Sequence, residues 1–255
     1  MIYLTSDIHG CLKEFKKLLE YIRFGKDDHL YIIGDVLGRG DDPIPLLLYV
    51  MEHENMTLLM GNHEQAFLWN MDENTGPFSD EEVRHFWLSH SGPQVLEQYE
   101  ALAPQKRIEV LDYVKSCPMY MILGKNILVH AGLDVKNSPT SQMEDADGTA
   151  LKSLMESQKS FKMLWQTKEF YCEPMVFADP QIRVFFGHMF SLIIRQDRGE
   201  PLDSTEIWKD TNRIGMDCGY AFGGKMVMYC LDTDEEHYLT SSGEFYTKYV
   251  SVIKK

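Results

Sequence analysis

The chain has 255 residues, 44% of them hydrophobic, enough to bury one sizeable core in a single domain spanning 1–255. A formal charge of −14 and a pI near 5.0 argue against nucleic-acid binding, because affinity for a polyanion rests on Lys and Arg neutralising phosphates. Cys11, Cys117, Cys172, Cys218 and Cys230 are scattered without CxxC spacing, which disfavours a disulfide framework or a zinc knuckle. They suit a reducing cytoplasm.

The chain opens on the strand-like MIYLTSD, and no apolar run approaches the ~20 residues that span a bilayer, so a cytoplasmic protein without membrane contact is expected. After IYLTSD, Leu12, Phe15, Leu18, Leu19 and Ile22 recur at helical spacing; HLYIIGD, PIPLLLYVMEH and MTLLMGN follow. Strand, helix, strand, helix, strand predicts βαβ units and a parallel sheet. From about 71 to 117 the texture becomes helical, with one helix opened by a Ser79/Glu82 capping pattern and another by Pro104, and this stretch reads as an insertion or cap. Strand character returns in NILVHAGL, IRVFFGH, RIGMDCG, KMVMYCL and EHYLTSS. The loop DVKNSPTSQMEDADG and a helical stretch from Ala150 to about Phe170 interrupt them. With few helices between the later strands, a second, mixed or antiparallel sheet packed on the first is expected.

Five strand-like segments end alike: Asp7 and His9 after IYLTS, Asp35 after YIIG, Asn62 and His63 after LLMG, His130 after ILV and His188 after VFFG. The carboxyl ends of neighbouring strands in an open α/β sheet face one crevice, so these side chains are expected to meet. Imidazoles mixed with carboxylates suit divalent zinc, iron or manganese, and one bridging carboxylate can hold a pair about 3.5–4 Å apart. His29, His53, His85, His90 and His237 read as ordinary hydrogen-bonded or surface histidines. Trp69, Trp87, Trp165 and the fifteen methionines read as packing.

In order, DIHG, GDVLGRG, GNHE, HAG and GH resemble the calcineurin-like metallophosphoesterases, in particular the phosphoprotein phosphatase branch with its bacterial and phage members. The resemblance runs from Met1 through DCGYAFGGKMVMYCLD and leaves out only the helical insertion. It implies the calcineurin-like α/β fold, two packed mixed β-sheets flanked by helices, and two divalent metal ions, manganese first with iron or zinc as alternatives. By that resemblance Asp7, His9 and Asp35 would hold one metal, and Asp35 would bridge to a second held by Asn62, His130 and His188. Arg39 would grip the substrate phosphate and His63 would protonate the leaving oxygen, with Glu64 supporting from behind. Between Gly38 and Gly40, the forked donors of Arg39 match a phosphate.

Two positions depart from the family pattern. Where these phosphatases usually carry an aspartate that steadies the catalytic histidine, this chain has Gly38, and Asp41 or Asp42 are the candidates to replace it. Gly38→Asp is therefore expected to raise activity on alkyl phosphates more than on aryl ones. In MLWQTKEFY, Thr167 stands where a second phosphate-binding arginine is usual, leaving the neighbouring Lys168 as a candidate contact; Tyr220, after DCG, is another. GHMF also differs from the threonine-proline common after that glycine-histidine.

Symmetrical dinucleoside tetraphosphatases, a sister group, also carry a small neutral residue where Gly38 stands, though they tend to have Asp where this chain has Glu64. The sequence favours a phosphate monoesterase of the Ser/Thr protein phosphatase type, acting on a phosphorylated protein or small phosphate ester. The alternatives are a diadenosine tetraphosphate hydrolase and a metal-binding interaction module of low turnover.

Overall fold

The computed structural model describes residues 1–71, 87–89, 91–134, 136–137, 148–165, 168–175 and 177–249; the Ser79/Glu82 pattern, His85, His90 and Thr167 lie outside them. The expected βαβαβ opening is present as β1 (Ile2–Thr5), α1 (Leu12–Tyr21), β2 (His29–Ile32), α2 (Pro43–Met51) and β3 (Met56–Leu58). Phe15, Leu18 and Leu19 of α1 are buried, as their spacing requires, and Pro43 opens α2 where its missing N–H has no partner to lose. The chain continues through α3 (Asn62–Met71), α4 (Gly92–Glu100), α5 (Pro104–Ser116), β4 (Tyr120–Leu123), β5 (Asn126–Val129), α6 (Thr149–Ser157), α7 (Ser160–Trp165) and α8 (Lys168–Cys172). Then come β6 (Arg183–Phe186), α9 (Ser191–Arg198), β7 (Trp208–Lys209), β8 (Arg213–Gly215), β9 (Lys225–Cys230), β10 (Glu236–Thr240) and β11 (Phe245–Lys248). Pro104 begins α5 as expected.

Two mixed sheets result, ordered β11-β10-β9-β1-β2-β3 and β4-β5-β6-β8-β7. β1, β2 and β3 run parallel, as do β5, β6 and β8. One expectation changes here: KMVMYCL and EHYLTSS do not build the second sheet. They extend the first as β9, which pairs antiparallel to β1 with Tyr3 opposite Cys230, and β10, which pairs antiparallel to β9.

Alternation along the strands divides the core into layers. Leu4, Leu128, Phe185, Val227 and Tyr229 point into the space between the sheets. Tyr3, Leu30, Ile32, Met226 and Met228 face a core with Phe15, Leu46 and Phe67. Ile127, Val129, Val184 and Phe186 face a core with Leu151, Met163 and Phe170. Burying both faces makes each strand end a rigid platform. Among the described residues no helix is long and apolar enough to cross a membrane.

Candidate metal centre at the strand ends

All six parallel strands end toward this site, each followed within a few residues by a polar side chain: Asp7 and His9 after β1, Asp35 after β2, Asn62 and His63 after β3. His130 follows β5, His188 follows β6 and Asp217 follows β8. Asp7, His9, Asp35, Asn62, His63, His130 and Asp217 are buried, His188 partly so. Beyond their strands the first two loops keep pairing: the N–H groups of His9 and Gly10 donate to the carbonyls of Asp35 and Val36 at 2.9 and 2.8 Å.

Local backbone is forced to serve this arrangement. Asp7, His9, Asp35, Arg39 and His188 all take left-handed φ values, between 47° and 66°, which cost non-glycine residues energy and recur at functional sites. Gly187, before His188, is required by close approach, since a Cβ there would stand 2.0 Å from Asp7 Oδ2. In return the His188 N–H donates to both Asp7 carboxylate oxygens, at 3.1 and 3.0 Å.

Glu64 organises the first sheet's half. Its Oε1 accepts from the N–H groups of Val36 and Leu37 at 2.9 and 3.0 Å, its Oε2 from those of Asp35 and Gly61 at 2.8 and 3.0 Å. Spent on backbone donors, this carboxylate shapes the loop that presents Asp35, in agreement with a supporting role. The remaining aspartate oxygens face the site: Asp35 Oδ1 takes the His63 N–H at 3.0 Å and lies 3.4 Å from His130 Nε2, while Oδ2 lies 3.8 Å from His9 Nε2.

The donor set suits cations. His9 Nδ1 donates to the Leu37 carbonyl at 3.1 Å and His130 Nδ1 to the Ile33 carbonyl at 2.9 Å, which turns the bare Nε2 lone pair of each neutral ring inward. His130 Nε2 then faces Asn62 Oδ1 at 2.8 Å, and His188 Nδ1 meets the same oxygen at 2.9 Å. Two acceptors in such proximity repel unless a positive charge lies between them. Among the described residues two groups have ligand atoms within 4.8 Å of one another, His9 with Asp35 and His63, and Asp35 with His130 and His188, so Asp35 is common to both. Asp7 Oδ1 lies 3.8 Å from His9 Nε2 on the first side.

Electrostatics point the same way. Burial, then the neighbouring Asp7 and Glu64, raises Asp35 well above the usual carboxylate range, and burial raises Asp7 as well. Burial and the Arg39 charge bring His9 down to about 3; burial, then His130 and Arg39, brings His188 to about 3. Carboxylates short of positive charge and imidazoles held neutral are what a divalent cation binds.

His63 lies edge-on to His9, ring centres 4.8 Å apart, with Nε2 3.9 Å from Asp35 Oδ2. Among the described residues its buried Nδ1 has no hydrogen-bond partner. Neither Asp41 nor Asp42 supplies one. Asp41 is exposed and spends its carbonyl on the Gln94 and Gln98 side chains; Asp42 precedes α2. Nor is there room for the family's aspartate: at Gly38, where φ is +92°, an added Cβ would stand 2.5 Å from His63 Nδ1. Gly38→Asp must therefore displace the ring it was expected to support.

Arg39 is exposed at this rim, its guanidinium 4.7 Å over the Phe222 ring. The two remaining sequence candidates go elsewhere. Lys168 is paired with Asp197 at 2.8 Å, and Tyr220 packs against the core beside α1, its hydroxyl pushed up to about 12 by burial, then Glu14 and Cys11. His29, His53 and His237 are hydrogen-bonded to Thr57, Tyr49 and Thr247, as ordinary histidines. Trp87 is buried, and Trp69 stacks on Trp165 with ring centres 5.8 Å apart.

Asp217 was absent from the sequence reading. Its Oδ1 takes the Gly219 N–H at 2.8 Å, its Oδ2 is buried without a partner, and burial followed by Asp7 holds its carboxyl well above the usual range. The signal was available: DCG closes a parallel strand just as the other motifs do.

A family model described as calcineurin-like phosphoesterase matches residues 1–214. The symmetrical bis(5'-nucleosyl)-tetraphosphatase of Nitrosospira multiformis is 29% identical over 163 residues, covering 61% of this chain and 50% of that protein. The same-named protein of Coxiella burnetii strain Dugway 5J108-111 is 30% identical over 134 residues, 51% of this chain and 41% of that one. The chain thus spans half or less of the length of these relatives. A solved structure of a candidate diadenosine tetraphosphatase superposes with a TM-score of 0.54 over 97% of this chain and 92% of that one; at 17% identity the likeness speaks for the fold alone. Running from β1 into β8, the family match takes in the strands that carry most of the strand-end cluster, and the chain belongs to the calcineurin-like phosphoesterase family.

Proposed function

We propose that the chain is a two-metal phosphoanhydride hydrolase that cuts a dinucleoside tetraphosphate into two nucleoside diphosphates. The observation that carries this choice is the bare His63 Nδ1 facing Gly38. A histidine with no carboxylate behind it is protonated less of the time and is less firmly oriented, so it contributes less general-acid catalysis, which suits a nucleoside diphosphate leaving group better than the alkoxide of a phosphoserine. The names of the curated relatives support the same substrate class. The Ser/Thr protein phosphatase expected from the motifs has less support, because its proton donor is the part that lacks its partner.

In this reading Asp7, His9 and Asp35 hold one divalent cation, and Asp35, Asn62, His130 and His188 hold a second, with manganese expected and iron or zinc compatible with the same donors. Such cations, when bound, lower the pKa of water and offset charge on phosphoryl oxygens. Arg39 orients the phosphate chain through its forked N–H groups. Water adds its oxygen to phosphorus and releases a proton to solvent, the bridging P–O bond breaks with its electron pair leaving on the diphosphate, and His63 Nε2 stands ready to donate a hydrogen bond to that oxygen.

Initial rates of the manganese-loaded protein on diadenosine tetraphosphate and on a phosphoserine peptide test this. The dinucleotide should be preferred by at least about tenfold in kcat/KM, with ADP as product. A preference for the peptide would overturn the reading.

A further inference from the structure

Phe222 is 61% exposed, so most of its apolar surface is left open to solvent. It ends the short 3₁₀ turn Tyr220–Phe222, bracketed by Gly219 and Gly223 at φ 70° and 84°. The turn is fixed by hydrogen bonds from the Phe222 N–H to the Gly219 carbonyl at 2.9 Å and from the Gly223 N–H to the Tyr220 carbonyl at 3.0 Å. Behind Phe222 stands Phe190, ring centres 4.7 Å apart and tilted 52°; it is two residues beyond His188. The Arg39 guanidinium also lies over the ring, 4.7 Å from its centre. Among the described residues no carboxylate is paired with Arg39. An exposed aromatic ring thus stands on an ordered turn beside a cationic fork and a second aromatic, on the rim of the strand-end site.

We infer that Phe222, backed by Phe190, is the stacking shelf for the nucleobase of the bound nucleotide, with Arg39 at the junction between base and phosphates. The inference rests on the dinucleotide reading and names the residues that recognise the nucleoside. A π-face accepts any base, so the shelf selects nucleotides over bare polyphosphate without choosing among bases. Because the turn is already ordered, little conformational entropy is lost when a base settles on it.

The test is calorimetric titration of the manganese-loaded full chain with ADP and with inorganic pyrophosphate, in the native protein and in Phe222→Ala, Phe222→Leu and Phe222→Trp. The native protein should bind ADP about tenfold more tightly than pyrophosphate, within the range of base–aromatic stacking. Phe222→Ala and Phe222→Leu should lose most of that preference, and Phe222→Trp should keep it. Equal weakening of both ligands in Phe222→Ala would mean that the ring only braces Arg39, and the shelf would be overturned; so would an unchanged preference, or no preference in the native protein. Should the native protein show the ADP preference and its loss in Phe222→Ala yet leave diadenosine tetraphosphate intact, the hydrolytic reading falls and the shelf stands. Cleavage of the dinucleotide with a flat ligand preference overturns the shelf alone.

Discussion

The two sheets contribute to the site in different ways. From the first come three loops that carry several functional groups each and are laced together locally, through backbone pairing and the four N–H groups collected by Glu64. The second sends one residue per strand, His130, His188 and Asp217, and these are fixed largely by reaching across: His130 donates to the Ile33 carbonyl and the His188 N–H to Asp7. The first half is therefore built by its own sequence, whereas the second is placed by the packing of one sheet on the other.

Asp35→Asn strikes the residue shared by both donor groups and should have the largest effect, a loss of at least about a thousandfold in kcat together with both metals, read by initial rates and metal analysis. His130→Ala, from the second sheet, should lose about a hundredfold and one metal. Equal metal loss in the two variants would erase the distinction between halves. Glu64→Gln attacks the lacing itself: an amide offers one acceptor oxygen where the carboxylate had two, leaving buried N–H groups opposed by an NH₂. We expect about 2–4 kcal/mol of lost stability in urea unfolding, and a native-like midpoint would show that the first half does not depend on this hub. Gly38→Ala should cost about 1–3 kcal/mol and slow every substrate, since it combines a left-handed backbone with a clash on His63. A rate gain on alkyl phosphates alone would restore the expectation attached to Gly38→Asp. Smallest of all, Lys168→Ala should leave KM for the dinucleotide unchanged, because its partner is Asp197.

Legibility in the sequence follows the same division. Asp7, His9, Asp35, Asn62 and His63 stand in compact motifs directly after apolar runs, so both strand and ligand could be read from one short window. His130 and His188 were legible because each follows, at once or after one glycine, an apolar run of three residues that closes β5 or β6. Asp217 is less conspicuous: DCG has the form of the other strand-end motifs, but β8 is only three residues long and ends at Gly215, so the aspartate also resembles a turn residue. β4, an unbroken YMIL with every position half-buried, gives no alternation to detect, and α9 spans eight residues, too few to establish a helical period. The placement of β9 and β10 in the first sheet depends on a pairing more than two hundred residues distant from β1, which no local pattern encodes.

That last pairing bears on how the chain folds as it leaves the ribosome. β1 lies in the interior of its sheet, between β2 and β9. One of its edges can pair as soon as His29–Ile32 has been made, but the other waits for Lys225–Cys230, which is made much later. Over that interval the nascent protein carries an open strand edge beside apolar side chains, the surface on which intermolecular strand pairing starts. Expression yield should therefore respond to chaperone supply and to translation speed over residues 30–225, even for variants whose finished fold is fully stable.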